Sequence, residues 1–305
     1  MSLGVLVPRD LPIAEFPGYV RRAEAAGFDE LWVVEDLYFR GGVAQAAAAL
    51  AATERIRVGI GILPAPLRNP ALTAVEAHTL AELFPGRLIL GIGHGMPGWM
   101  AEVGAAPVSP LRVLEEHLTV VRSLLHGSSA ELAATVRLDL TVTAPAPPVL
   151  AGVRGPRSLA LSGRVADGTL LAEPVTPEYL AAARAAIGVA DHHVAAYNFA
   201  AVDTDPDRAR AAVRPLMAWL GEPDWAPHIA PLDFADEFAA LRAECADGAE
   251  FAARVPDEWV DRLTVSGTPE RARARVAELR EAGADSVILI PVDADLDGIA
   301  ALVGH

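Results

Sequence analysis

Hydrophobic and polar positions along the chain follow two alternating rhythms. Short apolar or β-branched runs at 3–7, 28–34, 55–62, 87–92, 149–151, 169–172, 194–202 and 286–290 read as strands. Several are apolar throughout, as strands covered on both faces are. Between them, apolar residues recur at helical spacing near 14–26, 42–52, 69–83 and 110–125, with further helices opening near Thr176 and Thr268. Local punctuation agrees. Asn69-Pro70 suits a helix start, Pro85-Gly86 an end, and Thr268-Pro269-Glu270 a cap. Eight strand–helix alternations without a composition break predict one α/β domain over 1–305, closed as a (β/α)8 TIM barrel rather than left as an open sheet. Two stretches depart from the rhythm. Residues 127–147 read as a loop with a small strand or hairpin, and 205–255 as helices interrupted by Pro and Trp.

The chain is organised around 55–98, RIRVGIGILPAPLRNPALTAVEAHTLAELFPGRLILGIGHGMPG, a β-α-β unit of a parallel sheet. Both strands finish in glycines, Gly59 and Gly61 in one, Gly91, Gly93 and Gly95 in the other. Side-chain-free backbone at two neighbouring strand ends predicts a flat ligand lying close against them. In a barrel, that C-terminal edge is where chemistry is built.

Composition narrows the possibilities. A net charge of −15 argues against nucleic acid or an anionic membrane as partner. All 25 basic residues are arginine, so Schiff-base aldolases, pyridoxal-phosphate enzymes and Walker A nucleotide sites, which need a lysine, are excluded. A single cysteine, Cys245, excludes an internal disulfide or a cysteine-rich metal site. No apolar run reaches the roughly 20 residues of a membrane span, and MSLGVLVPRD lacks a signal peptide's basic start. A cytoplasmic protein is expected.

Several motifs carry possible chemistry. Gly93-His94-Gly95-Met96-Pro97-Gly98 has the G-x-G-x-x-G spacing of a dinucleotide site. Pro97 inside the loop, and the lack of a following strand ending in an acid, favour a Gly-rich barrel loop instead. Arg154-Gly155-Pro156-Arg157-Ser158 lies between a strand and a helix, where backbone N–H groups and two guanidiniums would hold a phosphate. The alternative is a solvated turn. One of Glu35 and Asp36, at the second strand's end, should reach the barrel mouth, as an acid/base or anchor, or paired with an arginine such as Arg40. Leu37, Tyr38, Phe39, Met96 and Trp99 follow the second and fourth strands as candidate walls of a substrate pocket, or as loop packing. His94 alone among the histidines stands directly at a strand's C-terminal end, making it the candidate catalytic side chain. No H-x-H, H-E-x-x-H or Cys/His set is present, so no metal is expected.

Five blocks together resemble the bacterial-luciferase-like family of flavin- and deazaflavin-dependent oxidoreductases. They are AEAAGFDELWVVED (23–36), ATERIRVGIGIL (52–63), RNPALTAVEAHTLAELFPGRLILGIGHG (68–95), GPRSLALSGRVADG (155–168) and SGTPERARARVAELREAGADSVIL (266–289). The resemblance implies a (β/α)8 barrel with insertions near 127–147 and 205–255, binding coenzyme F420 (a deazaflavin) or FMN at its mouth. It implies a cofactor site made of Asp36, Gly61, Ile62, Leu63, Gly93, His94, Gly95, Ala151, Gly152, Val153, Arg154, Gly155, Pro156 and Arg157. Gly61-Ile62 matches a third-strand bulge where deazaflavin relatives hold a non-prolyl cis peptide. The implied activity is hydride transfer with a deazaflavin, or FMN-dependent monooxygenation, on a small organic substrate. A separate reductase and a homodimer are the implied partners. Two departures stand out. Leu37 follows Asp36 where many relatives have histidine, and Met96 stands where one branch has glutamate. The alternative is a non-catalytic or degenerate cofactor-binding barrel.

Overall fold

A computed structural model describes residues 1–132, 136–294 and 296–304. Its strands are β1 (Ser2–Leu6), β2 (Glu30–Val33), β3 (Arg57–Pro64), β4 (Leu88–Gly93), β5 (Ala130–Leu132), β6 (Val136–Leu138), β7 (Val149–Gly152), β8 (Gly168–Leu171), β9 (His193–Val202), β10 (Val265–Gly267) and β11 (Ser286–Pro291). Parallel pairing runs β1-β2-β3-β4-β7-β8-β9-β11 and returns to β1, closing an eight-stranded barrel. The expected strands are therefore the barrel strands. β5 and β6 form an antiparallel hairpin within 127–147, whose tip at 133–135 lies outside the described residues.

Alternation along each strand sorts side chains to two cores. Leu6, Trp32, Ile89, Leu150, Leu170, Ala195, Tyr197 and Ile288 fill the barrel interior. Their neighbours, such as Leu31 and Val33 beside Trp32, face the outer helices. Buried Glu30 lies at the N-terminal end of β2. It accepts hydrogen bonds from Trp32 Nε1 (2.9 Å), Ser286 Oγ (2.9 Å) and Arg57 Nη2 (2.5 Å). Such full satisfaction is what a buried carboxylate requires.

The outer helices begin as their sequences dictate. Asn69 Oδ1 accepts from the Ala71 N–H at 2.9 Å, with Pro70 in the first turn. Thr176 and Thr268 cap their helices through Tyr179 and Arg271 N–H groups. The long segment between β9 and β10 folds into helices that include Pro206–Val213, Ala235–Glu244, Gly248–Arg254 and Asp257–Leu263. These surround a core of their own, in which Phe234 stacks on Trp259 (4.8 Å) and Phe238 meets Phe251 edge-on (4.9 Å). Phe199 of β9 joins that core, seating the segment on the barrel's C-terminal rim. β10 escapes the hydrophobic pattern because three residues carry no readable period. It lies along the far half of β9, on the edge that β8 leaves free.

Candidate active site

The C-terminal strand ends bring together most of the residues marked in the sequence. In β3 the register against β4 shifts between Ile60 and Leu63, and the Gly61-Ile62 peptide within that bulge is cis. The glycines around it are each needed by the protein's own packing. A Cβ on Gly152 would lie 2.3 Å from Ile62 Cγ2, and one on Gly91 would lie 2.3 Å from the Ile60 carbonyl oxygen. A Cβ on Gly59 would enter the Trp32 ring at 2.4 Å. The neighbours that leave no room for a side chain at these positions are Ile62, the β3 backbone and Trp32. Gly61 itself sits over the Tyr197 hydroxyl, 2.1 Å from a would-be Cβ. Leu63, Ala151 and Val153 turn their side chains into the outer core, so only their backbone faces the mouth.

After β4, His94 Nε2 lies 3.0 Å from Ser158 Oγ, tying the fourth-strand turn to the helix Pro156–Val165. His94 Nδ1 makes no hydrogen bond of good geometry. Burial and the nearby Arg154 hold the ring below its ordinary pKa, against the Pro110 carbonyl. Gly155 precedes that helix with no side-chain cap, and a Cβ there would meet nothing within 4 Å. Arg154 donates to the Asp224 carbonyl (3.1 Å) and lies over the Trp225 ring (4.9 Å), while Arg157 is exposed. Four candidates, His94, Arg154, Gly155 and Arg157, thus gather beside one open helix start, a donor set suited to a phosphate.

The acidic pair after β2 divides. Glu35 takes two bonds from Arg68 (3.0 and 2.8 Å) and one from the Gly42 N–H (2.7 Å), a purely structural arrangement. Asp36 accepts from Arg9 Nη1 at 3.2 Å. Arg40, the partner expected, instead donates to the Arg9 and Leu11 carbonyls. Tyr38 and Phe39 stand on the outer rim, 73% and 49% exposed, with the Tyr38 hydroxyl on Glu102 (3.1 Å) and Arg9 over the Phe39 ring (4.9 Å). Leu37, Met96 and Trp99 are half-buried, Met96 against the core of the 205–263 segment.

Two residues of this mouth escape the sequence reading. Glu173 stands just past β8, and Tyr197 points inward from β9. Glu173 is half-buried. That burial pushes its carboxyl up to about 7, and Asp36 adds to the rise against its own N–H, Arg154 and Arg9. Among the described residues the buried Tyr197 hydroxyl has no hydrogen-bond partner, and burial with Glu173, Glu30 and Asp36 nearby raises its pKa strongly. An acid one step beyond a barrel strand is the signal that could have revealed Glu173. Tyr197 carried the inward phase of β9 but sat among apolar residues.

Two recesses lie elsewhere. One of about 390 Å³ includes Ser2, Asp29 and Arg57 at the N-terminal strand ends, and one of about 330 Å³ lies between Arg68 and His117. Neither gathers the mouth's donors. Among the described residues no group of three or more His, Cys, Asp or Glu could hold a metal, and no helix is long and apolar enough to cross a membrane.

Comparison with known proteins places this geometry among relatives. The description of the matching family, over residues 1–286, is luciferase-like monooxygenase. The 5,10-methylenetetrahydromethanopterin reductase of Methanolobus tindarius is 27% identical, covering 100% of this chain and 98% of its own. The coenzyme F420 dependent tetrahydromethanopterin reductase from Methanopyrus kandleri superposes with a TM-score of 0.82 at 23% identity, over 100% of this chain and 97% of that one. The oxygenating constituent of 3,6-diketocamphane monooxygenase from Pseudomonas putida, in complex with FMN, does so with 0.72 at 17%, over 100% and 97%.

Proposed function

Because the chain belongs to the luciferase-like monooxygenase family, we propose that it is an oxidoreductase moving a hydride between a small organic substrate and a deazaflavin of the coenzyme F420 type. The observation that carries this reading is the convergence at 155–158. An uncapped helix start, His94, Arg154 and exposed Arg157 meet beside the ends of β3 and β4. That donor set fits the phosphate of a ribityl-phosphate cofactor whose ring lies over the Gly61-Ile62 backbone. When bound, the deazaflavin supplies hydride acceptance or donation, and the protein supplies orientation and exclusion of water. The backbone of Gly61, Ile62, Leu63, Gly93, Gly95, Ala151, Gly152 and Val153 would bound the ring, with Asp36 at its edge. Leu37, Met96 and Trp99 would then flank the substrate beneath the Tyr38–Phe39 rim. The coenzyme F420 dependent tetrahydromethanopterin reductase neighbour supports the deazaflavin. The FMN-bound neighbour supports a second reading, an FMN-dependent monooxygenase served by a separate reductase.

We read the chain as one domain acting in the cytoplasm as a homodimer. Support for the dimer comes from an apolar stripe on the helix Pro70–Leu83, where Leu72, Val75 and Leu83 are 53%, 47% and 64% exposed. Buried Cys245 is in keeping with a reducing compartment.

Fluorescence titration of the apo-protein with coenzyme F420 and, separately, FMN tests the reading. Micromolar binding of the deazaflavin alone is expected. Binding of FMN alone would replace hydride transfer with monooxygenation, and binding of neither would leave a degenerate barrel.

A further inference from the structure

We propose that Glu173 is the proton-exchanging group of this site, and that the substrate is accordingly a carbonyl compound or the matching alcohol. The proposal deepens the oxidoreductase reading and rests on it.

The backbone that carries the carboxyl is held on two sides. Trp225 Nε1 donates to the Glu173 carbonyl oxygen at 2.9 Å, and His228 Nδ1 lies 3.1 Å from the Pro174 carbonyl oxygen. Two residues on, Val175 is clamped by Asn198, whose amide accepts from the Val175 N–H (3.0 Å) and donates to the Val175 carbonyl (3.1 Å). Glu173, Pro174 and Val175 therefore have their backbone fixed by β9 and by the helical segment seated on the rim. The charges facing the carboxyl come from three other strand ends: Arg9 after β1, Asp36 after β2 and Arg154 after β7. Each of the two arginines already has a partner, Arg9 on Asp36 and Arg154 on Asp224 and Trp225. Among the described residues none forms a salt bridge with Glu173. From β9, the buried Tyr197 hydroxyl adds no charge and, among the described residues, has no hydrogen-bond partner. From the rim segment, His228 is held neutral, its pKa lowered to about 3 by burial first and then Arg154.

The result is a carboxyl that exchanges its proton near neutrality, just past β8 and among charges from three other strand ends. A proton has a use there only for some substrates. When a hydride from the reduced deazaflavin forms a C–H bond at a carbonyl carbon, the C=O π pair moves to oxygen, and that oxygen needs a proton. Glu173 gives its O–H proton and becomes a carboxylate; in the alcohol-oxidising direction the carboxylate takes the proton back. An iminium acceptor would need none, because hydride addition to it leaves a neutral amine. A neutral carboxyl in this place therefore suits an acceptor that is uncharged before hydride addition, as a carbonyl is, over one that already carries a positive charge.

The experiment compares wild type, Glu173→Gln and Glu173→Asp as full chains. Infrared difference titration of the apo-protein should show a carboxylic C=O band lost near pH 7 in wild type and absent in Glu173→Gln. With cofactor and a panel of ketones and aldehydes, wild-type reduction should fall as pH rises through about 7, while oxidation of the matching alcohols rises. Glu173→Gln should bind deazaflavin within about twofold of wild type, lose about 100-fold or more in kcat, and show neither limb; Glu173→Asp should recover a limb. A normal pH limb in a cofactor-binding Glu173→Gln, or no titrating band in wild type, overturns the proposal alone. Failure of wild type to bind either cofactor overturns the oxidoreductase reading, and this one with it.

Discussion

At the scale of single residues, Gly152 is explained by Ile62. Its branched side chain packs toward Gly91, Gly93 and Gly152, and Gly152 gives it the least room, 2.3 Å from a would-be Cβ. Adding a methyl group there is overpacking, which costs about 1–3 kcal/mol. Gly152→Ala should lower the midpoint of urea unfolding accordingly, and Gly152→Ala with Ile62→Ala should recover part of that loss. If the double variant is no better than the sum of its parts, the glycine serves something other than Ile62. The glycines themselves were plain in the sequence, and so was their concentration at two strand ends. What they accommodate was not, because a run such as GIGIL does not reveal which isoleucine crosses to the next strand. The same gap hid Tyr197, since an inward phase in an apolar strand reads as core. By contrast, His94 and the Arg154–Arg157 loop were legible as separate features. Only the fold put His94 3.0 Å from Ser158.

At the scale of elements, all eight barrel strands could be read because each is a buried apolar run set between helix-length periods. β10 could not, and neither could the role of the strand-end loops, where function depends on direction rather than period. The helix Pro156–Val165 shows the difference. The two arginines flanking its start, Arg154 and Arg157, looked equivalent in the sequence. In the fold, Arg154 lies on Trp225 and the Asp224 carbonyl, joining the rim segment to the barrel, while Arg157 projects from the first helical turn into solvent. Arg157→Ala is therefore the cleaner probe of a phosphate site. A charge-assisted hydrogen bond contributes about 1.5–3 kcal/mol, so affinity for coenzyme F420 or FMN should fall roughly 10- to 100-fold. Riboflavin, which lacks the phosphate, should bind the variant and wild type alike. Equal losses for FMN and riboflavin would move the phosphate away from this helix.

At the scale of the whole molecule, buried histidines couple stability to pH. His117, on the helix Pro110–Leu125, lies 3.3 Å from Thr73 on the helix Pro70–Leu83, and burial with Arg68 nearby lowers its pKa to about 4. His228 joins the rim segment to Pro174 and is lowered to about 3. A depressed histidine contributes stability above its unfolded value of 6.5, lost as pH falls through that value toward the folded one. For His117 alone the whole span is on the order of 3 kcal/mol. Glu173 acts with the opposite sign. Its pKa is raised from 4.5 to about 7, so its contribution is full below 4.5 and is lost as pH rises through about 7. Between about pH 4.5 and 6.5 the two histidines outnumber the one carboxyl. The folded state should therefore lose stability on acidification, at a net slope near 1.4 kcal/mol per pH unit for these three groups. Removing the opposing group should steepen that slope. Urea unfolding of the apo-protein at intervals across this window, for wild type and Glu173→Gln, measures both slopes. A steeper acid limb in Glu173→Gln would show the carboxyl protonated in the folded state without any cofactor present. Parallel curves would mean that Glu173 ionises like an ordinary surface carboxyl, and the mouth would then lack the proton that carbonyl reduction needs.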